Sequence, residues 1–258
     1  MPRVRPSSIS RVAFVTGAAA GLPRGVAVAL ARDRYDVHFT FRPGGTGPEA
    51  TLKLLKSEGA SAHAHAIDFA AKPVDVAREL AKIASEASID IVVHGVGPMI
   101  VRRFERATPE DYDAIVDGNL RSAVQVAAAF LPGMRARKFG RMIFFGMSGS
   151  NVTMPAAGLS LYAAAKSGLV AFARTLALEE GRHGVTVHVI QPGDIREKHR
   201  ARREARNQSA RNAVGRAGSW EDVADTVRFL IREDSDYLTG TVIDVGGGLV
   251  GAYERNPS

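Results

Sequence analysis

Thr16-Gly-Ala-Ala-Ala-Gly-Leu-Pro-Arg-Gly25 is the stretch that decides how this chain folds. It follows a short β-rich run, Arg11-Val-Ala-Phe-Val-Thr16, and leads into an Ala/Val-rich segment that predicts a helix to about Arg32. Gly17 permits a tight turn, and Gly21 lets backbone come close to an anion. The helix N-terminus beyond adds free N–H groups and a favourable dipole, which together suit a dinucleotide pyrophosphate. A glycine-rich turn alone is a weak signal. Its place directly after the first strand carries the inference.

Outward from this turn, apolar runs and helical stretches alternate along the whole chain. Asp36–Phe41 reads as a second strand, 49–57 as a helix, 61–67 as a third strand and 74–87 as a helix. Ile89–His94 is a continuous apolar run of the buried parallel kind. A long helix is expected from Pro109, with Thr108 as its N-cap, to Arg137, with a bend near Pro132. Strands at 141–145, 185–190 and 237–245 follow, interleaved with helices around Tyr162 and from Trp220 to about Arg232. Repeated strand–helix units of this length predict one α/β, doubly wound domain: a seven-stranded, mainly parallel sheet with helices on both faces. It should span 11–250, between short tails at 1–10 and 251–258.

Composition narrows the function classes. The 258 residues suit one large domain, and a hydrophobic fraction of 45% is enough for a sizeable core. There are no cysteines, which excludes disulfides and thiolate metal sites and suits a reducing cytoplasm; no metal ligand set is assigned. No apolar run approaches the ~20 residues of a membrane span, and the basic N-terminus lacks the apolar core of a signal peptide. The net charge of +7 is concentrated: Arg196–Arg216 holds eight Arg or Lys against two Glu. No aromatic residues interleave these charges for base stacking, so a solvated helical face outweighs a nucleic-acid arm. A landing surface for an acidic substrate is the intermediate reading.

Tyr162 and Lys166, in Leu161-Tyr-Ala-Ala-Ala-Lys-Ser-Gly168, stand one helical turn apart on one face. A nearby ammonium favours a phenolate, so such a tyrosine can exchange a proton with a carbonyl or alcohol oxygen. The pair gains weight from the glycine turn upstream of it.

From Arg11 to Gly248 the motifs and their order resemble the short-chain dehydrogenase/reductase family, most of all its β-ketoacyl-carrier-protein reductases. The resemblance implies a Rossmann-type fold and a nicotinamide cofactor. It implies catalytic roles for Asn119, Ser148, Tyr162 and Lys166, with Ser150 as the alternative serine because the family's usual spacing lands on Gly149. It implies cofactor contacts at Gly17, Gly21, Leu22, Arg24, Arg42, Asp68, Gly95, Pro192, Gly193 and Ile195, shared with Tyr162 and Lys166. The second strand ends in Thr40-Phe41-Arg42, with a guanidinium where NAD enzymes carry an acid, so NADP(H) is the expected cofactor. Four positions depart from the family pattern: Pro23 for a third glycine, His94-Gly95-Val96-Gly97 for Asn-Asn-Ala-Gly, the shifted serine, and Glu197 for a threonine. His94 is read as a packed, hydrogen-bonded histidine.

The expected activity is NADP-dependent reduction of a ketone, with tyrosine as proton donor. The substrate is a small carbonyl or alcohol, carried as an acyl-carrier-protein or coenzyme A thioester in the leading reading. Arg196–Arg216 would form the substrate lid, and the family's usual assembly implies a homotetramer or dimer. The rival reading is a non-catalytic dinucleotide-binding regulator on the same fold.

Overall fold

The structure, a computed structural model, describes residues 11–193, 195 and 200–248. Both expected tails, and 196–199 of the basic segment with Glu197, lie outside the described residues. The strands are β1 Val12–Thr16, β2 Asp36–Phe41, β3 Ala62–Ala66, β4 Ile89–His94, β5 Gly140–Phe145, β6 Val185–Pro192 and β7 Val242–Val245. The helices are α1 Gly21–Arg32, α2 Glu49–Ser57, α3 Pro73–Glu86, α4 Pro109–Val116, α5 Ser122–Arg137, α6 Ser160–Glu180, α7 Arg202–Ala205 and α8 Trp220–Leu230.

One sheet in the order β3-β2-β1-β4-β5-β6-β7 holds all seven strands, and every neighbouring pair is parallel. The chain begins at the centre, runs out to β3, then returns to β4 and runs to β7. The order therefore reverses between β1 and β4, which opens a crevice outside the C-terminal ends of those strands. Because helices cover both faces, residues of both parities are buried in β1, β2, β4, β5 and β6. Val15, Phe39, Ile91 and Ile143 pack beneath α1 and α8 on one face. Phe14, Val92, Met142 and Phe144 meet α3, α5 and α6 on the other. Phe14 and Phe39 are 0% exposed, and burial of each contributes about 1.5–3 kcal/mol. Gly25 lets α1 lie on α8: a Cβ there would meet Trp220 at 2.7 Å. Among the described residues no helix is long and apolar enough to cross a membrane.

The expected long helix runs as one continuous helical stretch from Pro109 to Arg137, with a π-turn at Asp117–Arg121 joining α4 to α5 and Pro132 inside α5. The π-turn is held against the loop after β4: Pro98 packs against Gly118, where a Cβ would lie 2.5 Å from its ring, and Asn119 Nδ2 donates to Ile115 O and Pro98 O. One expectation needs correction: the last strand is shorter than 237–245, because Gly240 takes φ +69° and interrupts extended backbone. The N-cap at Thr108 is present as a capping box with Asp111.

Candidate active site

The phosphate turn is built by backbone and pinned by threonines. Gly17 and Gly21 have φ +71° and +66°, a region open to glycine at no steric cost. Thr40 accepts the Gly17 N–H at 2.9 Å, and Thr51 donates to Ala18 O at 2.9 Å. Helix α1 starts with Ala20 as an extended N-cap that makes no side-chain hydrogen bond, and its first turn holds no acid. The N–H groups of Gly21 and Leu22 therefore lack side-chain partners and face the place an anionic group would take. That is the fit expected for a dinucleotide phosphate.

Pro23 is the third residue of α1, where the absent N–H removes no intrahelical bond. Its ring fills the space beside Gly95. A Cβ on Gly95 would stand 2.3 Å from Pro23 Cγ and 3.1 Å from Thr16 O. Two departures from the family pattern are thus one packing solution: the proline occupies volume that the missing side chain at 95 leaves open.

Arg42 directly follows β2 and is exposed beside the Gly44-Gly45 turn, and Arg24 is half-buried in the first turns of α1. Among the described residues neither makes an ion pair, so both guanidiniums are available to an anion. Asp68 follows β3, with Oδ1 accepting from Ala70 N at 3.0 Å.

Behind the turn, β4, β5, the π-turn and α6 converge on Gly97. Lys166 is buried and donates to Phe145 O at 2.5 Å. Burial pushes its ammonium down to about 7. Asn119 is fully buried, and its Oδ1 has no hydrogen-bond donor. A Cβ on Gly97 would lie 2.4 Å from that Oδ1 and 3.0 Å from Lys166 Nζ, so the amide oxygen and the ammonium close on the same small residue. Tyr162 is half-buried, one turn before Lys166, with its ring centroid 5.6 Å from Nζ.

The two serines differ in environment. Ser150 is 2% exposed and its hydroxyl accepts from Gln191 Nε2 at 2.7 Å, while Gln191 Oε1 accepts Gly149 N at 3.2 Å. Ser148 is half-exposed, with a long 3.5 Å contact to Asp244 Oδ1. Burial raises the Asp244 carboxyl above its ordinary value, and the Ser148 bond opposes it. On the far side of β6, Gly193 N donates to Val245 O at 3.0 Å and Ile195 is buried. A Cβ on Gly193 would meet Gly246 Cα at 2.5 Å.

His94 is the packed histidine the sequence suggests, and its bonds define a relay of structure. Ser122 donates its proton to Gly118 O at 2.7 Å, so its oxygen accepts from His94 Nε2 at 2.9 Å. His94 Nδ1 in turn accepts from Thr16 Oγ1 at 2.9 Å, and Thr16 accepts Gly95 N at 3.0 Å. The imidazole ties β1, β4 and the π-turn that carries Asn119. Burial first, and Lys166 second, push it down to about 3.

The basic segment is less free than its charge implies. Arg202 bonds Asp222 at 3.0 Å and Asp225 at 2.6 Å, and Arg216 grips Asp222 with two 2.9 Å bonds. Although burial pushes it up, the bonds from Arg216 and from Ser219 hold the Asp222 carboxyl well below the usual range. A cavity of about 330 Å³ lies between this segment and β7, lined by Arg216, Asp222 and Asp244 among others. Sequence reasoning missed Gln191, Asp244 and the histidines of β2 and β3. Only the last left a local signal, the alternation Ala62-His-Ala-His-Ala66.

A family model described as Enoyl-(Acyl carrier protein) reductase matches residues 17–250. The 3-oxoacyl-(acyl-carrier-protein) reductase of Escherichia coli is 31% identical, over 93% of this chain and 97% of that protein. The enzyme of the same description from Mycobacterium tuberculosis is 32% identical, over 95% of each. The solved structure of a candidate 3-oxoacyl-reductase from Bacillus thuringiensis superposes with a TM-score of 0.85 at 30% identity, covering 94% of this chain and 99% of that one.

Proposed function

This chain belongs to the short-chain dehydrogenase/reductase family, and from that premise we propose that it is an NADP-dependent ketoreductase acting on 3-oxoacyl thioesters. The observation that carries the reading is the convergence of the Asn119 amide oxygen and the Lys166 ammonium on Gly97, one helical turn from Tyr162. The names of the two curated relatives supply the substrate class.

A nicotinamide dinucleotide, when bound, would supply the hydride for the carbonyl carbon. Gly17, Gly21 and Leu22 would hold its pyrophosphate with backbone N–H groups at the start of α1. Arg42, with Arg24, would hold a 2′-phosphate, since no acid after β2 repels it. Asp68, Gly95, Pro192, Gly193 and Ile195 would supply further contacts to it.

Tyr162 gives its phenolic proton to the carbonyl oxygen as charge develops there, and Ser148 donates a hydrogen bond to the same oxygen. Lys166 as an ammonium would stabilise the negative charge left on Tyr162 as its proton leaves. Asn119 Oδ1, buried and without a donor, holds a water that returns a proton toward Lys166. Ser148 is preferred over Ser150 because it is half-exposed, where a substrate oxygen can reach it, while Ser150 is buried.

The test is oxidation of NADPH and NADH at matched concentrations with acetoacetyl-coenzyme A and a panel of small ketones. The reading expects NADPH-dependent turnover that is fastest with the thioester. NADPH binding without turnover of any carbonyl would favour the regulatory binder instead.

A further inference from the structure

Away from the crevice, β2 and β3 bring histidines and a carboxylate together at the open edge of the sheet. The edge strand is β3, and its alternation puts His63 and His65 on one face. Register sets His63 directly opposite His38, and Asp36 lies two residues before His38 on the same side. One ligand atom from each of Asp36, His38 and His63 lies within 4.8 Å of the other two.

The spacing fits a metal. His63 Nε2 is 3.4 Å from Asp36 Oδ1, and two atoms bonded to one tetrahedral zinc stand about 3.4 Å apart. Drawing in the third atom takes at most about 1.4 Å on the same geometry. Asp36 Oδ1 is buried and accepts no hydrogen bond, a cost that a bound cation removes. His38 Nδ1 meets His65 Nε2 at 3.0 Å. That contact leaves Nε2 of His38 to ligate and supplies the orienting partner that metal-bound histidines usually have. The competing contact is Ser61 Oγ, 3.0 Å from His63 Nε2; this hydroxyl belongs to an exposed residue and can turn to water.

We propose that Asp36, His38 and His63 bind a divalent transition-metal ion, zinc by preference, which fastens edge strand β3 to β2. Two imidazoles and one carboxylate suit zinc, cobalt or nickel, whereas magnesium and calcium demand oxygen ligands. Water completes the coordination. The site lies toward the N-terminal end of β2, about 13 Å along the strand from Arg42, so the ion serves the sheet edge and takes no part in the crevice.

Equilibrium dialysis of the tag-free full chain against zinc, followed by metal analysis, tests the proposal. One zinc per chain is expected, with a Tm rise of about 5 °C once free zinc exceeds its Kd a hundredfold. His63→Ala and Asp36→Asn should each weaken binding at least tenfold, while His183→Ala, on the loop before β6, should bind as the wild type does. The His63 side chain is 48% exposed, so its truncation leaves the fold intact, and circular dichroism checks both variants. Wild-type protein that retains no stoichiometric zinc, or equal binding by wild type and His63→Ala, overturns the proposal.

Discussion

The phosphate turn and the proton relay lie at the same end of the sheet, yet they treat substitution differently. The turn works through backbone N–H groups, so a side chain may change wherever its volume is offset: Pro23 enters where Gly95 gives way. The relay proposed above would work through particular atoms, and Asn119, Tyr162 and Lys166 match the residues the family resemblance names. His94 joins the two regions. It replaces a family asparagine but hydrogen-bonds at both ring nitrogens, reaching Thr16 below the turn and Ser122 beside Asn119.

The sharpest way to break this comparison lies in the relay. Ser148→Ala should lower kcat about 10²-fold or more by removing a donor to the developing oxyanion, whereas Ser150→Ala should act on stability through its lost Gln191 bond. Equal kinetic loss in both would mean the serine is misassigned. In the turn, Gly95→Asn forces a side chain against the Pro23 ring and should cost about 1–3 kcal/mol of stability. Adding Pro23→Gly should recover most of that, since the two positions share one space. A double variant as unstable as the single would dissolve the link between them, and denaturant midpoints read the difference.

The smallest effect is a slope with pH. His94 has an ordinary value of 6.5 and a folded value pushed to about 3. The unfolded chain takes up a proton that the folded one refuses, so its contribution is full above pH 6.5 and is lost as pH falls from there toward 3. His188, pushed to about 4 by burial and then by Arg141, acts in the same direction. His94→Asn should flatten the fall in Tm between pH 7 and 4; an unchanged slope would show that other groups set it.

Much of this was legible in the chain. β2, α2 and β4 lie where their patterns predicted; for β2 and β4 the reason is that runs buried on both faces carry strong local signals. Tyr162 and Lys166 were visible because helical spacing fixes their relation. The fit of Pro23 to Gly95 was hidden, since it joins β1–α1 to the end of β4 and depends on sheet order. The π-turn at 117–121 was also hidden, for its contacts run to Pro98 in the loop after β4. The ion pair of Arg202 with Asp222 of α8 was hidden in the same way, since the two lie 20 residues apart.

The central claim is that Tyr162 donates the proton while the glycine turn supplies most of the hold on the cofactor. Tyr162→Phe, assayed for NADPH-dependent reduction and for NADPH affinity on the same preparation, tests both halves. The account predicts a loss of turnover of about 10²–10⁴-fold with cofactor affinity within about twofold of wild type, roughly 0.4 kcal/mol. Turnover that survives the substitution would contradict it.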